Sequence, residues 1–181
     1  MKPEIFTLPS SVDGLLLSTS VTRPEGTPKG IVQLVHGMIE HKERYFGFME
    51  WLSEHGYACV MCDNRGHGAS VRSEEDLGHL KKGDWLAMVE DVKTVGDWAR
   101  KEFGDLPFTL LGHSMGSFMA RTMLFRFRFS GITGAIISIK EGMTCTEEEI
   151  EEISSSFFCL LQNNTYICTD KLPYNRLTKE E

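Results

Sequence analysis

Residues 107–116 read Pro-Phe-Thr-Leu-Leu-Gly-His-Ser-Met-Gly. An apolar run, Phe108 to Leu111, passes into Gly112-His113-Ser114-Met115-Gly116, and a Met- and Phe-rich segment, Ser117 to Phe127, follows. The spacing predicts strand, sharp turn and helix, with a serine at the apex and glycine two residues to either side. A serine held in a strained turn projects its hydroxyl off the sheet edge, and strain of that kind costs about 1–3 kcal/mol. The flanking positions must be small because strand and helix nearly touch there. The helix N-terminus also aims free N–H groups at any oxyanion forming beside the serine. A chance Gly/Ser turn gives the same five letters, but G-x-S-x-G between a strand and a helix is a nucleophile-elbow pattern.

Upstream, Gly30 to Val35 is nearly continuous apolar sequence, the pattern of a strand buried on both faces of a parallel sheet. It runs into His36-Gly37-Met38-Ile39-Glu40-His41. Tyr45, Phe48, Met49 and Leu52 then recur at helical spacing between Lys42 and His55, and Gly56 follows as a stop. Tyr57 to Cys62 is the next buried strand, ending at Asp63, with a glycine-rich turn over Asn64 to Ser70 and a polar loop over Val71 to Lys82. A second helix is expected from Asp84, as N-cap, to Phe103. Trp85, Met88, Val92, Val95 and Ala99 form its apolar stripe, with Glu90, Asp91, Lys93 and Asp97 outside it.

Glu4 to Thr22 alternates weakly around Asp13-Gly14 and suggests an antiparallel hairpin at a sheet edge. Downstream of the elbow helix, Ile132 to Ile139 reads as another strand. Strands alternating with helices indicate a parallel α/β sheet whose strand C-termini share one edge. His36, Asp63 and Ser114 all fall at such ends. Residues 1–140 therefore read as one α/β core. Residues 141–181 differ: Thr146 to Glu149 matches a capping box, and Ile150, Ile153, Phe157 and Leu160 form a helical apolar stripe. No further buried strand is legible, which leaves the Ile132–Ile139 strand as a bare edge.

The 181 residues carry 19 Lys+Arg against 26 Asp+Glu, and the net charge of −7 disfavours nucleic acid or anionic membrane as partners. No run approaches the ~20 apolar residues that span a bilayer, so stable membrane insertion is not expected. Five cysteines without a paired framework suit a reducing, cytoplasmic setting.

With the elbow, the His36-Gly37-x-x-Glu40-His41 loop and the Asp63-x-Arg65-Gly66-x-Gly68-x-Ser70 turn in this order, the chain resembles the α/β-hydrolase superfamily. Within it, the chain is most similar to the monoacylglycerol lipase, lysophospholipase and serine aminopeptidase-like group. The likeness spans about Gly30 to Ile139. It implies an α/β-hydrolase fold: a mostly parallel sheet with helices on both faces, here without the last strands. It implies Ser114 as nucleophile and the backbone N–H groups of Met38 and Met115 as oxyanion hole. His36, Gly37, Gly112, His113 and Gly116 would shape the site. Residues 141–181 would be part of the family's lid.

The chain also departs from the pattern. The hydrolase triad runs Ser, Asp, His along the chain, yet no histidine follows His113. A base must take the serine proton, and imidazole suits that task near neutral pH. The sequence thus reads as the N-terminal two-thirds of such a hydrolase, ending inside the lid. His113 is expected to point into the fold. His36 and His67 are expected to fix loops, and His55 and His79 to be solvated. A metal site from His36, His41, Asp63 and His67 matches no known ligand spacing, and the chemistry read here calls for no cofactor. Cys59 and Cys62, three apart in a strand, should face opposite sides. In the elbow helix Phe118, Met119, Met123, Phe125 and Phe127 read as core, and Arg121, Arg126 and Arg128 as a solvated face.

The expected activity is hydrolysis of small esters, of monoacylglycerol or lysophospholipid type, through an acyl-enzyme on Ser114. An amide-cleaving aminopeptidase is the alternative substrate class. A hydrolase fold without turnover, acting as a binding module, is the alternative from another class.

Overall fold

The computed structural model describes residues 2–127, 134–138 and 167–168. Among the described residues seven strands form one sheet in the order β1-β2-β4-β3-β5-β6-β7. The hairpin is β1 (Glu4–Pro9) and β2 (Leu16–Thr22), antiparallel and at one edge. β2 pairs antiparallel with β4 (Ala58–Cys62), and from there the ladder is parallel. β3 (Ile31–Val35) lies between β4 and β5 (Phe108–His113). β6 (Gly134–Ser138) extends the sheet beyond β5.

β3, β4 and β5 are buried at every position, as their unbroken apolar sequence requires of strands covered on both faces. On one face Val32, Leu34, Cys59, Met61 and Leu111 pack under α1 (Phe46–Glu54) through Phe48, Met49 and Leu52. On the other, Val35 and Leu110 meet α3 (Met115–Phe127) through Met115, Met119 and Met123. There too α2 (Asp84–Phe103) supplies Met88, Val89 and Val92, and its Val95 and Ala99 continue over Ile31, Val60 and Phe108. Cys59 and Cys62 fall in opposite clusters as expected. Burial pushes both thiols up, so neither is a nucleophile near neutral pH.

Six expectations need correction. The bare edge does not hold: Ile167–Cys168 forms β7, parallel to β6 with Ile136 opposite Ile167 and Ile137 opposite Cys168. A two-residue strand has no readable periodicity. The first helix begins with a 3-10 turn, Lys42–Tyr45, because Lys42 is drawn inward to Asp63. Asp84 is the first residue of α2 rather than its cap. Gly83 caps with left-handed backbone, and Asp84 Oδ2 accepts the Lys81 N–H at 2.6 Å.

Asp91 is 2% exposed instead of lying outside the stripe, whereas Trp85, placed inside it, is 37% exposed. Phe118 is exposed on the elbow helix, while Met119 and Met123 are core. Arg121 and Arg126 are exposed as expected, Arg126 ion-paired with Glu90; Arg128 lies outside the described residues. So do the capping box and the Ile150–Leu160 stripe. Among the described residues no helix is long and apolar enough to cross a membrane.

Candidate active site

β3 is the first parallel strand, yet its neighbours β4 and β5 lie on opposite sides of it. Chains leave the C-termini of β3 and β5 toward opposite faces, which opens a crevice at that edge. His36 to His41 leaves β3, and Ser114 leaves β5.

Ser114 has φ +50° and is half-buried. It is one of two non-glycine residues with positive φ among the described residues, the other being Ile39. The geometry around it explains the glycine spacing. A Cβ at Gly112 would overlap the Gly116 carbonyl, and one at Gly116 would overlap the Val35 carbonyl and lie 2.7 Å from His36 O. Ser117 braces the turn, its N–H donating to Ser114 O at 2.9 Å and its Oγ to Gly112 O at 2.8 Å. Met115 starts α3, so its N–H has no partner within the helix.

The loop after β3 lies against this corner. A Cβ at Gly37 would sit 3.0 Å from Ser114 Cβ and 3.4 Å from His113 O. Met38 is exposed, and Ile39, with φ +59°, is 88% exposed. The structure therefore brings Gly37, Ser114 and Met115 to one corner, with Met38 next to Gly37 in the chain.

His36 is wholly buried, and burial pushes its imidazole down to about 4. Nε2 accepts the Asn64 N–H at 2.8 Å, so the ring proton resides on Nδ1, which donates to Gly37 O at 2.7 Å. Asn64 Nδ2 donates in turn to His36 O at 2.9 Å. A neutral ring with both nitrogens engaged fixes two loops and is no base for Ser114. His67 packs edge-on against it at 5.4 Å and is bonded to Arg65 O. His113 is buried, as expected, and its Nδ1 has no hydrogen-bond partner among the described residues. His41 pairs with Glu43, His55 stacks on Trp51, and His79 is exposed. Among the described residues no histidine nitrogen is hydrogen-bonded to the Ser114 hydroxyl.

Two buried ionic groups hold the loops from behind, and both escape a reading by sequence. Asp63 accepts the N–H groups of Lys42 and Ala69 and the Lys42 ammonium, the last at 2.8 Å. Burial pulls the Lys42 pKa down, but Asp63 and Glu43 outweigh it and hold the amine charged. Arg65 meets Asp91 at 3.0 Å and Asp13 at 2.8 Å, and Ser10 donates to Asp91 at 2.5 Å. The first leaves only a trace in the sequence, Asp63 as an acid ending a buried strand, and nothing there names the cation that receives it. Asp63, His36 and His67 are each engaged by protein groups, Asp63 by Lys42, His36 by the Asn64 N–H and Gly37 O, and His67 by Arg65 O.

A family model described as Serine aminopeptidase, S33, matches residues 26–139. The chain is 36% identical over 107 residues to a monoacylglycerol lipase of Mycolicibacterium smegmatis, covering 59% of this chain and 36% of that protein. It is 34% identical over 111 residues to a phospholipase of Bacillus subtilis, covering 61% and 40%. The match thus spans well under half the length of these relatives. A thermostable carboxyl esterase from Bacillus coagulans superimposes with a TM-score of 0.68 at 26% identity, covering 88% of this chain and 51% of that one.

Proposed function

We propose, because the chain belongs to the serine aminopeptidase, S33, family, that it is a serine hydrolase of the α/β-hydrolase fold acting on carboxylic esters of small lipids. The observation that carries this is Ser114 in left-handed backbone with Gly37 against it. In this reading Ser114 Oγ attacks the ester carbonyl carbon, and the N–H groups of Met38 and Met115 hold the oxyanion. The alcohol leaves with a proton, and water then releases the acid from the acyl-serine. Lipid esters are preferred over amides because the relatives named above are a monoacylglycerol lipase and a phospholipase. Residues 1–140 serve as the core, to whose sheet Ile167–Cys168 adds a strand. Buried free Cys59 and Cys62 accord with a cytoplasmic setting.

A second reading, a hydrolase fold that binds without turnover, has one observation behind it: no described histidine engages Ser114. A fluorophosphonate probe on the 181-residue chain separates the two. Covalent labelling that Ser114→Ala abolishes supports the hydrolase, and an unlabelled wild type supports the binding module. Comparing a nitrophenyl ester with an aminoacyl nitroanilide then tests the lipid-ester assignment against the aminopeptidase alternative.

A further inference from the structure

Gly37 is held at both of its backbone polar groups. Its N–H donates to Glu40 Oε2 at 2.7 Å, and its C=O accepts the His36 Nδ1–H at 2.7 Å. The Gly37 C=O and the Met38 N–H belong to one planar trans peptide and point in opposite directions. Turning the carbonyl inward to His36 therefore turns the Met38 N–H away from that ring, and Gly37 itself lies against the Ser114 corner, where an added Cβ would sit 3.0 Å from Ser114 Cβ. The side chains of Met38 and Ile39 are exposed and contribute no anchoring. Glycine alone would not keep that plane in place, since its φ and ψ range more widely than any other residue's.

We propose that Glu40 is a positioning residue, whose carboxylate locks Gly37 so that the Met38 N–H stays aimed at the Ser114 corner. This rests on the reading of Ser114 as nucleophile. The carboxylate is held for that task, accepting the Tyr45 hydroxyl at 3.0 Å on Oε2, with Arg44 3.5 Å from Oε1. Tyr45 is itself core, which ties the clamp to the packing beneath α1. A carboxylate so near a developing oxyanion would oppose the charge. Its engagement with a backbone N–H, a phenol and a guanidinium fits holding rather than chemistry.

The test uses the 181-residue chain, with amide exchange at Gly37 read by NMR and Ser114 labelling read with a fluorophosphonate. Glu40→Gln keeps an acceptor without the charge and should retain both Gly37 protection and labelling within about threefold. Glu40→Ala should speed Gly37 exchange selectively, with the Asn64 amide unchanged, and slow labelling by about 10–100-fold, the scale of a small misplacement in a reacting site. Tyr45→Phe, which removes one bond to the carboxylate, should fall between and serves if Glu40→Ala does not fold. Gly37 exchange in Glu40→Ala equal to wild type would overturn the proposal. So would Glu40→Gln failing as badly as Glu40→Ala, or all amides accelerating together. Absent wild-type labelling would count against the Ser114 reading alone, and the exchange data would still decide the role of Glu40.

Discussion

Ser114 keeps its left-handed backbone because its neighbours leave no room for another. A methyl at Gly116 meets two main-chain carbonyls, Val35 O and His36 O, and backbone cannot swing aside as a flexible side chain can. Gly116→Ala should therefore destabilise the fold by about 3 kcal/mol or more, read by urea denaturation, and abolish labelling. Ser114→Ala keeps the same Cβ and should abolish labelling with stability within about 0.5 kcal/mol of wild type. His36 gives a second prediction at this scale. Its folded pKa of about 4 lies below the unfolded 6.5, so the unfolded chain binds more protons between those values. The stabilisation is whole above pH 6.5 and is lost as pH falls toward 4, to the extent of about 3 kcal/mol. The bond to Gly37 O and the charges of Asp63 and Glu40 pull it upward, His67 pushes it further down, and burial outweighs the upward pulls. Denaturation midpoints from pH 7 to 4.5 should fall steeply in wild type and more gently in His36→Gln.

At the scale of elements, α2 shows what periodicity conveys and what it omits. Met88, Val92, Val95 and Ala99 are all buried, as their spacing implies. Asp91 is buried too, although polarity alone places it outside. At ~100° per residue it falls about 40° from Val95, inside the stripe's margin, and the missing signal was a cation to receive it. That cation, Arg65, is 26 residues away in sequence, so only the fold reveals the pair. Trp85 fails in the opposite sense: it sits in the first turn of α2, and more than a third of it stays exposed. The pair predicts a contrast along one helix. Asp91→Ala strands a buried guanidinium with only the exposed Asp13 to balance it and should cost about 3–5 kcal/mol. Asp97→Ala removes only an exposed partner of Lys93 and should change stability by less than about 0.5 kcal/mol. Thermal denaturation of the two variants checks this.

Across the whole molecule, the parts legible in sequence are those encoded by runs: three buried strands, the elbow, and the helices by their stripes. What was not legible depends on residues distant in sequence, such as Lys42 with Asp63, Glu40 with Gly37 and Tyr45, and the two-residue β7. The same distinction governs stability. β3, β4 and β5 are buried at every position, so their amides should exchange only through global unfolding. β1 is an edge strand, mostly exposed, and should open locally, but not evenly along its length. At its Glu4 end it is held by an exposed ion pair with Arg23, which is worth little in water. At its turn end Ser10 is 4% exposed, donates its N–H to Leu15 O at 2.7 Å and shares Asp91 with Arg65. The Ser10 amide should therefore exchange about 100-fold more slowly than the ladder amides near Glu4. Asp91→Ala should erase that gradient by freeing the turn while leaving the order of protection among β3, β4 and β5 unchanged. A Ser10 amide that stayed slow in Asp91→Ala would show that the hairpin is held by β2 pairing alone, and that the Arg65 cluster is not what fastens the edge of the sheet to its centre.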